Sequence, residues 1–252
     1  MEFGFAMLIP TLSSIYLSLN KNKLLYYAIS IFYSFYLVLY SHRGAMLCLG
    51  VFIIIMCIYY LLNMKLTRKN MILISFIIAL VITIYLKLDD LIIGLLRFLE
   101  SRNMESRTLR LLLEGNLGND SGRGFIQDFF ISNLGNNLLG NGLYGDRYLY
   151  SVGNGIATYP HNLFLELCID FGIIIGTLLS IFLIFYSVKN YLWNKTISFE
   201  YFAFISIFFC ASFVQLLISS SFLASIPLWI YISLLFTKEK DFWGNLENKE
   251  FY

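Results

Sequence analysis

Charge is what this sequence has least of. Asp, Glu, Lys and Arg make up 13% of its 252 residues, against 58% hydrophobic and 18% aromatic. A soluble domain carries about a quarter charged residues. Several runs of about 18 or more apolar residues stand in their place, so the chain reads as a polytopic membrane protein. The cysteines supply no chemistry. Cys48, Cys57, Cys168 and Cys210 all sit inside apolar segments, at spacings that fit no metal or redox motif, and read as small lipophilic fillers. A Walker loop, a CxxC pair, an HExxH helix and a nucleophile elbow are absent, which removes the commonest phosphate-binding, zinc and serine-hydrolase chemistries. No signal peptide with a cleavage site precedes the first apolar run, so the first helix is expected to insert and stay.

Hydropathy marks spans near Phe3–Leu19, Leu24–Tyr40, Gly44–Leu62, Met71–Leu88, His161–Val188, Phe199–Ser219 and Phe222–Phe236. Pro10 and Ser13–Ser14 weaken the first. The expected fold is an all-α polytopic membrane protein of about seven transmembrane helices with one long extracytoplasmic loop containing short helices. Its parts are N-terminal spans over 1–86, the loop over 87–160, C-terminal spans over 161–237 and a tail over 238–252.

Lysine sets the orientation. Lys21 and Lys23, Lys65 and Lys69 with Arg68, Lys189 and Lys195, and Lys238 and Lys240 mark every second junction. Short positive loops stay in the cytoplasm, so 87–160 is placed outside. Nine of ten lysines are then cytoplasmic, Lys87 being the exception, whereas seven of eight arginines are external: Arg43, Arg97, Arg102, Arg107, Arg110, Arg123 and Arg147. Outer arginines oppose the orientation rule unless they have a task, and their planar fork suits bidentate phosphate or carboxylate binding. Pairing with the loop's own acids is the alternative. Basic residues divided across a bilayer give no support to nucleic-acid binding.

Within the loop, Leu88–Glu100 has apolar residues at helical spacing and charges opposite, which predicts a helix along the membrane surface. A short helix is expected from Ser106, and another around Phe125–Leu134, framed by Gly-Asn turns. Asp89-Asp90 reads as a solvated helix face rather than a metal pair, because no third ligand is evident.

The stretch YPHNLFLELCIDFG, Tyr159–Gly172, opens an apolar run yet carries His161, Asn162, Glu166 and Asp170. A helix beginning near His161 puts Asn162, Glu166 and Asp170 on one stripe, with Glu166 about 7–8 Å and Asp170 about 13 Å along the axis. Ionisable residues there need a wet cavity or a partner. His161 and Asn162 have a second reading as helix caps in the headgroup region. Gly172, Gly176 and Ser180 follow at four-residue spacing and predict close helix packing.

Three elements together resemble the bacterial O-antigen ligase and polymerase family. SHRGAML resembles its Ser-x-Arg-Gly-Ala span boundary, and SGRGFIQDFFISNLGNNLLGNGLYG its outer-loop Arg, short helix and Leu-x-Gly-x-Gly turn. PHNLFLELCIDFGIIIG resembles its His-Asn-x-x-Leu signature opening a transmembrane helix. The similarity covers roughly Ser41 to Leu183. It implies a GT-C-like, metal-independent glycosyltransferase of the inner membrane without a cofactor, acting at the outer face on an undecaprenyl-diphosphate-linked oligosaccharide. Arg43 and Arg123 would hold the donor diphosphate, His161 would bind or deprotonate the acceptor hydroxyl, and Arg107 would add a phosphate contact. Glu166 could orient the imidazole or, with Asn162, read the acceptor. Membrane lipids and other polysaccharide-assembly membrane proteins are the implied partners. Family members commonly have ten or more spans, so N-terminal helices are expected to be missing from this chain. The resulting expectation is a polymerase for O-antigen, capsule or exopolysaccharide, with a ligase using the same donor as its neighbour. A transporter or flippase using Glu166 and Asp170 would instead show repeated halves, and no internal repeat is found.

Overall fold

The computed structural model describes residues 2–21, 23–40, 43–63, 86–102, 106–114, 122–136, 138–192, 198–237 and 239, and among them every regular element is helical. The chain divides into two compact units, Met1–Asn119 and Asp120–Tyr252.

The first unit holds α1 (Glu2–Ala6), α2 (Leu8–Lys21), α3 (Leu24–Tyr40), α4 (Arg43–Asn63), α5 (Leu88–Glu100) and α6 (Arg107–Leu113). Pro10 lies in the first turn of α2, where a missing N–H breaks no helical bond. The hydroxyls of Thr11, Ser14 and Ser18, all buried, each donate at 2.7 Å to a carbonyl of the preceding turn, so these polar side chains are satisfied within the helix. In α5, Ile92 and Leu99 are two turns apart and bury together with Leu39 of α3 and Leu109 of α6. Asp89 and Asp90 face outward, as the charge pattern predicted. Among the described residues one helix, Gly44–Asn63, is by itself long and apolar enough to cross a bilayer. Leu24–Leu39, Ile173–Lys189, Phe199–Val214 and Ile226–Phe236 are shorter apolar helices. Most of the expected span Met71–Leu88 lies outside the described residues.

The second unit is built from α7 (Arg123–Asn133) with a 3₁₀ turn at Leu134–Asn136, α8 (Gly145–Asn154), α9 (Leu163–Phe171) and α10 (Ile173–Leu192). They are followed by α11 (Phe199–Phe208), which continues as a π-helical segment over Phe209–Val214, a 3₁₀ turn at Phe222–Ala224 and α12 (Ile226–Phe236). The sequence pattern missed α8, reading it as part of an irregular loop.

The apolar run expected as one span from His161 to Val188 is two helices. Gly172, at φ 84° and ψ 158°, separates α9 from α10, in a backbone region that essentially only glycine enters. In one continuous helix Cys168 and Gly176 would be about 12 Å apart along the axis. Instead, a methyl group on Gly176 would lie 2.5 Å from the Cys168 Cα, and Cys168 Sγ is 3.9 Å from Thr177 Oγ1. The chain folds back on itself at Gly172. Gly176 does serve close packing, as its spacing predicted, but the partner is the helix just before it.

Two cores hold this unit. Phe130, Tyr150 and Ile169, one from each of α7, α8 and α9, bury together, with Phe129 edge-on to Tyr150 at 4.9 Å. The larger core joins Leu163, Leu167 and Leu183 to Tyr201, Phe213, Leu228 and Tyr231. Tyr231 donates its hydroxyl proton to Ser187 Oγ at 2.7 Å. On its other side α10 exposes Ile174, Leu178, Ile181 and Phe185, an unbroken apolar flank that water would not tolerate and lipid would.

Candidate functional site

The turn Leu138–Gly142 plugs the end of α9. The N–H groups of Asn141 and Gly142 donate at 2.9 Å to the carbonyls of Ile169 and Asp170, and Asn141 Nδ2 adds a bond of 3.1 Å to Ile169. These are carbonyls that a helix C-terminus leaves unpaired. The approach is backbone on backbone: any side chain at Gly140 would overlap the Asp170 carbonyl oxygen and the Gly172 nitrogen. The Leu-x-Gly-x-Gly motif therefore serves to place this loop against α9.

Docking the loop brings carboxylates to an arginine. Asp170 Oδ1 accepts from the Asp146 N–H at 3.1 Å and so holds the first turn of α8. Arg147 Nη1 pairs with Asp146 at 3.0 and 3.3 Å and lies 3.9 Å from Glu166 Oε1. Glu166 is fully buried. Its Oε1 accepts from the Ser221 hydroxyl, and its Oε2 from the Phe222 N–H at 3.1 Å. Burial pushes the Asp146 carboxyl above its ordinary range, against the pull of Arg147.

His161 stands just ahead of α9. Asn162 caps that helix, its Oδ1 accepting from the N–H groups of Phe164 at 3.0 Å and Leu165 at 3.2 Å. The Tyr159 ring is 4.2 Å from the imidazole. Burial, with the Arg123 charge adding to it, pulls the His161 pKa down to about 4, so the ring is neutral at pH 7. Arg123 is the first residue of α7, and its Nη1 donates to the Ile218 carbonyl at 2.6 Å. Among the described residues no carboxylate lies within ion-pair distance of Arg123, in contrast to Arg147. His161, Tyr144 and Ser220 are the described non-glycine residues with positive φ, at 55°, 62° and 72°. All three line this region, where conformational strain of this kind tends to collect around function.

Of the residues singled out in the sequence, Arg123, His161, Asn162 and Glu166 are all in the second unit. Arg43 and Arg107 open α4 and α6 of the first. Glu166 does not orient the imidazole, whose buried Nδ1 has no partner among the described residues; its two oxygens hold Ser221 and Phe222. Asn162 uses its oxygen as a cap. Arg147, Tyr159 and the turn from Ile218 to Phe222 were not legible. Arg147 was one of seven outer arginines, and its pairing depends on Asp170 reaching back 24 residues. Among the described residues no three His, Cys, Asp or Glu side chains converge as metal ligands.

The Glu166 contacts carry a prediction. Glu166→Ala would leave the Ser221 hydroxyl and the Phe222 N–H without their acceptor, at a cost of roughly 2–5 kcal/mol. Glu166→Gln keeps the shape and an acceptor oxygen, and should cost about 1–3 kcal/mol. Thermal unfolding in detergent micelles reads both; an Ala variant as stable as wild type would refute this role.

A family model described as O-antigen ligase matches residues 28–180, more than half of the chain and the whole of the three motifs. No curated protein and no solved structure matches the chain. The chain belongs to the O-antigen ligase family, whose members are glycosyltransferase-like integral membrane proteins of polysaccharide biosynthesis acting on lipid-linked glycans.

Proposed function

We propose that this chain is a polysaccharide polymerase of the inner membrane, transferring a glycan from undecaprenyl diphosphate onto a hydroxyl of an incoming lipid-linked repeat unit at the outer face. The observation that carries the reading is a pair of groups. Arg123 has a guanidinium with no carboxylate partner among the described residues, and His161 beside it is uncharged at neutral pH. The first suits a diphosphate and the second suits a proton acceptor.

The acceptor hydroxyl gives its proton to the neutral imidazole as its oxygen bonds to the anomeric carbon of the donor. The bond from that carbon to the phosphate oxygen breaks, and the electron pair leaves with undecaprenyl diphosphate. Arg123, joined by Arg43 and Arg107 through the family resemblance, stabilises the charge that develops on the leaving group, as forked donors do without a metal. Asn162 and Glu166 act one step removed, fixing the start of the helix that His161 precedes. Seven spans with the loop 87–160 outside remain the proposed topology, the fifth now beginning at Ile173. The apolar part of α10, Ile173–Lys189, extends about 25 Å, a few ångströms less than a bilayer core.

The family description favours a second reading, a ligase moving finished polymer from the same carrier to another acceptor. Glycan analysis of a strain lacking the gene separates the two. Single lipid-linked units identify a polymerase, free lipid-linked polymer a ligase, and units retained on the cytoplasmic face a flippase. Transfer by the reconstituted protein should also be unchanged by a divalent-ion chelator; loss of activity that added metal restores would overturn the metal-independent mechanism.

A further inference from the structure

Histidines that act as bases are usually aimed by a hydrogen bond on the second ring nitrogen. His161 lacks one at Nδ1, which is buried without a partner among the described residues. Its backbone is held at φ 55°, and the Tyr159 ring packs on it, 4.2 Å away between centroids and inclined at 49°. Tyr159 is itself restrained. Pro160 follows it and limits its backbone to extended conformations, and the Arg147 guanidinium lies 5.5 Å from its ring centroid. Arg147 also covers Tyr144 at 4.7 Å and is tied to Asp146 at 3.0 Å. Asp146 is tied in turn to Asp170 of α9 at 3.1 Å. A continuous line of contacts thus runs from two buried carboxylates through a guanidinium and a phenol ring to the imidazole.

We propose that Tyr159 is a positioning residue that sets the orientation of His161 by ring packing, with Arg147 as its backing. The inference rests on His161 being the base of the transfer. A ring contact in place of a hydrogen bond leaves Nδ1 without a protein donor or acceptor among the described residues. The tautomer is then free to follow the substrate. Orientation matters because a displacement of about 1 Å at a reacting group can cost about 100-fold in rate. The charged and titratable groups that act on the imidazole are Arg123 from α7 and Tyr159 ahead of it; behind Tyr159 lie Arg147 and, against Arg147, Asp146 of α8 and Glu166 of α9.

The chain has two histidines, so a His42→Gln background leaves His161 as the only imidazole. Its titration can be followed by NMR with ¹³C-labelled histidine in detergent micelles. The His161 midpoint near 4 should rise by about one unit or more toward the free value of about 6.5 in Tyr159→Ala, where water reaches the ring. Tyr159→Phe keeps the packing and should leave the midpoint in place. Transfer is measured in proteoliposomes supplied with lipid-linked units extracted from the deletion strain. There, Tyr159→Ala should lower kcat about 10- to 100-fold with little change in KM, while Tyr159→Phe stays within about twofold. Tyr159→Leu fills the space without an aromatic face and serves if the Ala variant does not fold; its kcat should fall likewise. An unchanged midpoint with unchanged kcat in Tyr159→Ala or Tyr159→Leu overturns the proposal, as does a loss in Tyr159→Phe equal to that in Ala. If His161→Ala transfers at the wild-type rate, the base assignment fails instead, and the titration still reports whether Tyr159 holds the ring.

Discussion

Arg123→Ala should abolish polymer formation while the protein remains folded in the membrane and single lipid-linked units accumulate. The loss follows from what the residue is asked to do. A guanidinium without a carboxylate partner among the described residues is available to a diphosphate, and removing one such donor from a site of charge development costs about 10²- to 10³-fold. The structural cost is the smaller of the two. The substitution removes the hydrogen bond to the Ile218 carbonyl at 2.6 Å, worth about 1.5–3 kcal/mol for a charged donor. Arg123→Lys keeps the charge but loses the fork, and should recover only part of the rate. His161→Ala should match it for a different reason, the loss of a proton acceptor worth about 10²- to 10⁴-fold. Gel profiles of surface polysaccharide, with membrane protein levels measured in parallel, provide the check. Polymer of normal length from both variants would remove the transferase assignment of this site.

How much of this was legible depends on which physics each element obeys. The helices Leu24–Tyr40 and Leu88–Glu100 appear with the bounds the sequence predicted, because continuous apolarity and a clean amphipathic period are summed over many residues. Helix α8 was missed because it is short and its sequence GDRYLYSVGN has a glycine near each end. Its helicity comes from tertiary contacts, Tyr150 burying against Phe130 and Asp146 held by Asp170, and a local pattern contains neither. The site shows the same division. His161 and Arg123 were visible as rare residue types at motif positions. The roles of Arg147 and Tyr159 were not, because they depend on a loop being laid against a helix 24 residues away. Glu166 was visible as an oddity, a carboxylate in an apolar run. Its partners Ser221 and Phe222 lie 55 and 56 residues on, beyond the matched residues 28–180.

Hydropathy could not see the fold-back at Gly172, since a sum over side chains carries no dihedral angle. That hairpin yields the other large expected effect. Gly172→Ala must place a methyl group over the Leu138 carbonyl oxygen and 2.8 Å from the Gly140 nitrogen, both backbone atoms with no rotamer to escape into. It must also hold an alanine at φ 84° and ψ 158°. Together these put the cost at roughly 4 kcal/mol or more. Gly94→Ala is the control: it is in α5 with nothing within 4 Å of the added carbon, and should stabilise slightly, by about 0.5–1 kcal/mol. Stability alone would not show which part of the turn failed, but a cross-link does. Cys168 Sγ lies 3.9 Å from Thr177 Oγ1, so Thr177→Cys, with Cys48, Cys57 and Cys210 replaced by serine, should form a disulfide under mild oxidation. Mass analysis after maleimide labelling reads it as the loss of two free thiols. In an unbroken helix those positions would be about 13.5 Å apart along the axis, far beyond the reach of a disulfide. The bond should therefore form in the glycine parent and fail in Gly172→Ala. A disulfide that forms equally well with alanine at 172 would mean that the turn does not depend on glycine. A parent that never cross-links would mean that α9 and α10 run on as a single membrane helix, with Glu166 and Asp170 carried into the bilayer.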